Sequence, residues 1–449
     1  MELLDRLIPN YKDSGSMKKV DIIRETEDQA LLEEIVRYEP EGLVRQEAVK
    51  KINDQNILID IAYNDPHWAC CRQAIKKIND QSVLIDIVYS DFSDNARFRA
   101  AAKIKDQTVL IDLARNDKDI DVRCVAVKGI DDPSVLKELV LNSPYGYVRM
   151  EAALKINDKD LLRELALNDE DEFVRLESTR LIDDEKVLSE IALNDEDFYV
   201  RREACQKITD ETVLSEIGKK DHYWQIRSIA LHKITDEKAL SYMASNDPNP
   251  STRYEAVRKI NDKAILADVA LNAFDWKVRI YACRRVDDEE VLKKIVKKDM
   301  NWRVRRNAAG KIRNETFLEE IAFKEPSWRV RIEAIKNIED ESALTYIALN
   351  DSNWQARRQA LSKIKDKNVL ADIAQNDPIF ELRKLAVRMI NDEGVLANIA
   401  SNDSEWKIRR LAIRNIENVD TLREIAMNDS NADVRLAASD KIAGKAEIR

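Results

Sequence analysis

The sequence predicts an all-α fold, an α-solenoid of stacked helix pairs, and three observations lead there. A 26-residue period runs without a slip: from Ile52 it lands on Ile78, Ile104 and each later copy to Ile442 except Val286, and from Leu32 on Leu at every step to Leu422. Apolar residues within one period recur at helical spacing. Only 8 Gly and 9 Pro occur in 449 residues, too few for long linkers. A fixed period in this range means supersecondary units that bury their apolar faces only by stacking.

The elements follow in chain order. Leu3, Leu4, Leu7 and Ile8 form one amphipathic segment ended by Pro9, Asp13-Ser-Gly-Ser reads as a loop, and Val20, Ile22 and Ile23 supply a partial second helix. Residues 1–27 are therefore expected to be an N-terminal helical cap, 28–443 an array of about sixteen repeats, and 444–449 a tail. In a specimen repeat, Asp54 is the natural N-cap of a first helix carrying Ile57, Leu58, Ile61 and Ala62. Asn64, present in 11 of 15 units, is expected to end that helix in the left-handed conformation. The second helix buries positions seen at Val122, Ala126, Val127 and Ile130. Ala recurs at the second of these in every unit except Ser178, which lets helix backbones approach closely.

An acid before each second helix (Asp91, Asp117, Asp169, Asp195) is followed six residues later by Arg97, Arg123, Arg175 and Arg201. Across 16 sites the acid is present in 14 and the Arg in 15. This pattern resembles the Asp–Arg ladder of HEAT repeats, and the resemblance covers about residues 28–443. It implies that the pair ties each unit to its neighbour and that second helices line the inner side. The short units are also similar to leucine-rich-repeat variants and to the HEAT-like repeats of bilin lyases. Cys71 stands where the Arg belongs, and Ser143 and Ala273 where the acid belongs, so local bending is expected at those joints.

The net charge is −10, unevenly spread: residues 1–230 hold 34 Lys+Arg against 48 Asp+Glu, and 231–449 hold 40 against 36. Such asymmetry points to different partners, or different parts of one partner, for the two halves. No apolar run approaches a membrane span, and the N-terminus is acidic where a secretory signal is basic, so a cytoplasmic setting is expected. Cys70, Cys71, Cys124, Cys205 and Cys283 show neither zinc nor disulfide spacing; Cys205 and Cys283 fall at a core position and Cys124 at an exposed one. His67, His222 and His232 are too dispersed for a metal or acid–base site.

Function is sought where residues vary on the constant scaffold, at the second-helix positions of Gln46, Glu47 and Lys50. In the C-terminal half this face turns basic, with Arg258, Arg284, Arg303, Arg306, Lys336, Arg358, Lys384, Arg388, Arg410 and Arg414. In the N-terminal half it is mixed, with Phe98, Tyr147, Met150, Leu154 and Leu176. All seven tryptophans (Trp68, Trp224, Trp276, Trp302, Trp328, Trp354, Trp406) open a second helix, and Arg306, Arg358 and Arg410 follow four residues after theirs, on a shared helix face. Two readings of this row stay open: rings that seal grooves between helices, or an aromatic and cationic binding surface. The outward positions of first helices are acidic, from Asp60 and Asp86 to Asp372 and Glu424.

The leading expectation is a non-enzymatic scaffold that binds an acidic or extended protein partner. Its candidate residues are Trp276, Arg284, Trp302, Arg306, Trp328, Trp354, Arg358, Lys384, Arg388, Trp406, Arg410 and Arg414. Neither a Gly-rich phosphate loop, nor a nucleophile–base pair, nor metal spacing is present, so no catalytic residue, cofactor or metal is assigned. The alternative is nucleic-acid binding through the same face, as in HEAT-like alkylpurine DNA glycosylases, with Glu381 the one acid found among the basic inner positions. Third comes chromophore attachment of the bilin-lyase kind.

Overall fold

The computed structural model describes Tyr11 and residues 14–90 and 92–446. The predicted segment Leu3–Pro9, the turn residue Asp13 and the ladder acid Asp91 lie outside the described residues. The described residues hold thirty-three helices, a single helix Ser16–Glu25 followed by sixteen pairs. They divide into two units, Met1–Asp210 and Glu211–Arg449. Each is a run of antiparallel helix pairs in which second helix packs on second helix and first on first.

Most helices have ten residues, a length that is marginal in isolation, so packing and caps must hold them. First helices are capped as expected: the Asp54 carboxylate accepts from the Asn56 and Ile57 amides, and Asp or Asn does the same through Asn418. Their ends differ from expectation. Asn64 is the last helical residue, not a left-handed cap; its Nδ2 donates back one turn to Asp60 Oδ1 at 2.7 Å, and Asp65 follows in extended conformation. Asn116, Asn272 and Asn376 repeat the bond to Asp112, Asp268 and Asp372. The outward acids are thus partly hydrogen-bonded rather than simply hydrated. Tyr63 and Tyr89 of one repeat also donate to Asp86 and Asp112 of the next.

The core is as read: Val122, Ala126, Val127 and Ile130 are fully buried, as are Cys205, Cys283 and Ser178. Each such Ile or Leu contributes about 1.5–3 kcal/mol. The repeated alanines leave no space between second helices.

Three ladders hold the period. In the first, Arg227 Nε and Nη2 grip the Asp247 carboxylate of the next repeat at 2.7 and 2.8 Å, while Nη1 donates to the carbonyls of Asp221 and His222. The carboxylate also accepts from the Asn249 amide at 2.7 Å, fixing the turn. The ion pair therefore spans 20 residues; with the acid six residues back the Arg bonds only the main-chain carbonyl, not the carboxylate.

The second ladder was not read from the sequence. A lysine at the end of each of several second helices caps the preceding one: Lys259 Nζ donates to the carbonyls of Leu231, His232 and Ile234 at 2.7, 2.9 and 2.7 Å. Those carbonyls have no intrahelical donor, and a cation suits the helix C-terminus. Where Leu181 replaces this lysine, the helix Gly146–Ile156 ends instead in Asn157 at φ 54°, the one left-handed non-glycine among the described residues.

In the third, a Gln or Glu that opens many of the first helices bonds the loop ahead of the next. Gln55 Oε1 accepts from the Asn79 amide at 2.9 Å, and Glu341 Oε1 from those of Lys365 and Asp366. Any insertion would break all three registers together, a physical reason for a period that never slips.

The odd joints repair themselves locally. With Ser143 in place of the acid, the Arg123 guanidinium lies over the Tyr145 ring at 3.5 Å. With Ala273 there, Arg253 reaches two residues further to Asp275 at 2.8 Å, leaving its Nε without an acceptor. Cys71 keeps only the carbonyl contact, Sγ to Asp65 O at 3.1 Å.

Candidate partner-binding face

All seven tryptophans open their second helices, so each ring stands beside the turn within its repeat. At 100° per residue, the Trp position and those one, four, five and eight residues later share one broad face. The rings are half-buried to exposed, Trp68 most so at 67 %. None of them is a core side chain.

Three of the candidate tryptophans are joined by cations. Arg303 lies 4.6 Å from the Trp302 centroid and 5.3 Å from that of Trp276. Arg329 lies 4.3 Å from Trp328 and 5.0 Å from Trp302. The result is an alternating row, Trp276–Arg303–Trp302–Arg329–Trp328, in which each guanidinium is shared by two rings.

The cation is therefore the residue after Trp, where the sequence pointed to the one four later. Arg306 is drawn away by Glu333 of the next repeat, at 3.0 Å, which also holds Lys336 at 3.1 Å. Only at Trp68 does the fourth residue, Arg72, lie over the ring, at 4.9 Å. Trp406 carries Lys407 at 5.7 Å, and Trp354 stands exposed beside Gln355.

The other candidates divide in two. Arg284 donates to Asn307 at 3.3 Å, and Lys384 pairs with Glu381 at 3.7 Å. Arg358, Arg388, Arg410 and Arg414 are exposed and have no ion pair among the described residues. Glu381 is thus not the sole acid on this face; Glu333 neutralises two of its cations. In the N-terminal unit Phe98, Tyr147 and Leu154 are exposed as expected, whereas Met150 is buried under Ser178.

Sequence reading missed Arg329, Glu333, and two apolar residues in the turns ahead of the tryptophans, Phe274 and Met300, exposed by 90 and 94 %. A usable signal existed: Trp-Arg occurs in adjacent repeats, at Trp302-Arg303 and Trp328-Arg329.

A cleft of about 390 Å³ opens among Leu231, His232, Glu255, Arg258 and Lys259. His232 Nδ1 donates to its own helix at Ser228 O, 2.6 Å, and the Ser228 hydroxyl donates to Glu255 at 3.4 Å. Serine and imidazole thus do not form a nucleophile–base pair. Burial pushes the Cys70 thiol up to about 12 and raises that of Cys124, which is half-buried rather than exposed. Neither is poised as a nucleophile. Among the described residues no group of three or more His, Cys, Asp or Glu could hold a metal ion, and no helix is long and apolar enough to cross a membrane.

No family model and no curated protein matches the chain. Among solved structures it is similar to importin beta crystallised in a polyethylene glycol condition, with 15 % identity, TM-score 0.22, covering 97 % of this chain and 69 % of that one. It is also similar to Kap121p bound to Nup53p, with 14 % identity, TM-score 0.28, and coverage of 99 and 56 %. A third is the UNC-45 chaperone, with 12 % identity, TM-score 0.20, and coverage of 96 and 58 %. The chain spans little more than half the length of the last two. Overlaps this partial carry no argument of their own; the paired helices, the 26-residue period and the inter-repeat Arg–Asp ladder do. On that geometry the chain is an all-α, HEAT-like repeat protein.

Proposed function

We propose that the chain is a non-catalytic protein-binding scaffold whose second-helix face in the Glu211–Arg449 unit holds an acidic or extended segment of a partner. One contrast carries the reading. Nearly every charge that recurs with the period is matched, to a carboxylate in the next repeat or a carbonyl in the last, yet Arg358, Arg388, Arg410 and Arg414 stand exposed on one face with no ion pair among the described residues. Unmatched cations beside exposed aromatic rings are the composition of interface hot spots. The cytoplasmic setting expected from composition belongs to this proposal.

The test is capture from a lysate of the source organism, with and without nuclease, by the full chain and by the Arg358→Glu, Arg388→Glu, Arg410→Glu triple variant. A protein captured in the presence of nuclease and lost with the variant is the expected result. Capture that disappears with nuclease, and weakens steeply with salt, would instead identify a nucleic-acid binder.

A further inference from the structure

We infer that the segment held is an extended acidic peptide, read by the Trp276–Arg303–Trp302–Arg329–Trp328 row with one carboxylate on each guanidinium. This rests on the protein-binding reading and specifies its chemistry.

A guanidinium held beside indole rings makes no hydrogen bond with them, so its N–H donors remain for a partner. A guanidinium edge matches a carboxylate bidentately, and contact with two rings already restricts where the group can lie. Neither Arg303 nor Arg329 has a carboxylate within ion-pair range among the described residues, although both are exposed. Their neighbours Arg305, Arg306 and Arg331 are all matched, at 2.7, 3.0 and 2.6 Å. Pairing is therefore available in this region, and these two are left out of it.

The spacing suits an extended chain. Both guanidinium carbons lie within 5.0 Å of the Trp302 centroid, so they are no more than about 10 Å apart, within reach of side chains two residues apart on one face of a strand. Phe274 and Met300, in the turns just ahead of Trp276 and Trp302, add apolar surface for the residues between the acids. A single-stranded nucleic acid would need open aromatic faces for its bases. Trp302 is already approached by Arg303 of its own helix and by Arg329 of the next repeat. The acidic peptide is the better fit.

The experiment uses the full chain and three fluorescein-labelled probes: a short peptide with Glu at positions i and i+2, its Gln counterpart, and an oligo-dT of matched length. The Glu peptide should bind, perturb tryptophan emission, and bind at least about tenfold more tightly than the Gln peptide. Arg303→Gln with Arg329→Gln should lose about tenfold in affinity. Arg303→Lys with Arg329→Lys should lose severalfold, because an ammonium keeps the charge but not the fork. Unchanged helicity and melting of each variant would confirm that the fold persists.

Three results overturn the inference: no binding of the Glu peptide, equal binding by the folded Gln variant, or full affinity in the Lys variant. If these occur while the lysate experiment still captures a nuclease-resistant protein, the scaffold reading survives without this site. Binding of oligo-dT alone would sink both.

Discussion

The units Met1–Asp210 and Glu211–Arg449 share their joints and differ in what they present. The position that opens each second helix is Trp at one of seven sites in the first unit and at six of nine in the second. In the first unit that position is sometimes closed to any side chain. A Cβ on Gly42 would run into the His67 ring, and one on Gly146 into the Asp171 carboxylate, each from the next repeat. In the second unit the same position carries six indoles, and a cation directly follows four of them. The buried pattern is meanwhile largely shared: Ala at the second core site, Leu on the first helix, the Arg fork at most joints between repeats. Positions fixed by the period hold the stack together, and positions free of it set the surface. Substitutions should therefore separate into two classes.

The largest effect belongs to the ladder. Arg227→Ala strands the Asp247 carboxylate, whose side chain is only 1 % exposed, and removes donors from two turn carbonyls. Loss of one partner of a buried pair costs about 3–5 kcal/mol. A denaturant midpoint close to wild type would show that the joint is not a unit of stability. The pH dependence follows from the same pairs. The hydrogen bond from Arg409 holds Asp429 below its ordinary value near 3.8, so its contribution is fully present above that value. It is lost as pH falls through the lower folded value. Melting temperature should stay flat through neutral pH and drop below about pH 4; a decline beginning well above that would point to another group.

The sequence makes the fold legible because burial and capping repeat with it. Asp54, Leu58, Ile61 and Ala126 read correctly because each has a single physical job at a fixed spacing. Asn64 misled because Asn suits a left-handed cap and a side-chain bond to the preceding turn equally well. Only the acid four residues before it, Asp60, shows which operates. Lys259 was overlooked because a lysine near a helix end looks like a solvated charge; its acceptors lie 25 to 28 residues away. The face was half legible. The tryptophan register is plain in one dimension, but Arg303 rather than Arg306 meets the rings because Glu333, in the next repeat, competes for Arg306. Contacts between repeats are where a reading confined to one repeat fails.

Intermediate effects should come from the packing and the odd joints of the first unit. Ala126 is fully buried between second helices, and Ala126→Leu should destabilise by about 1–3 kcal/mol through overpacking. A neutral result would mean that the helices can separate there. At the joint where Ser143 replaces the acid, Tyr145→Ala removes the ring over Arg123 and should cost about 0.5–1 kcal/mol, less than a fork. If restoring the acid with Ser143→Asp then recovers the loss, ring and carboxylate are interchangeable partners for the same guanidinium.

The smallest stability effect should come from the exposed cations of the second unit, and it is the sharpest test of the comparison. Arg388 and Arg410 have no ion pair among the described residues, and their side chains leave the buried stripe untouched. Arg388→Gln and Arg410→Gln should each shift stability by less than about 0.5 kcal/mol. Both should nevertheless weaken capture of the partner, and more so at low salt, where exposed charges are least screened. A residue kept for folding would show the reverse, a lowered melting temperature with binding intact. The ratio of the two effects at one site therefore decides whether its charge belongs to the stack or to its surface, and Arg227 beside Arg388 gives the extremes against which the remaining arginines can be placed.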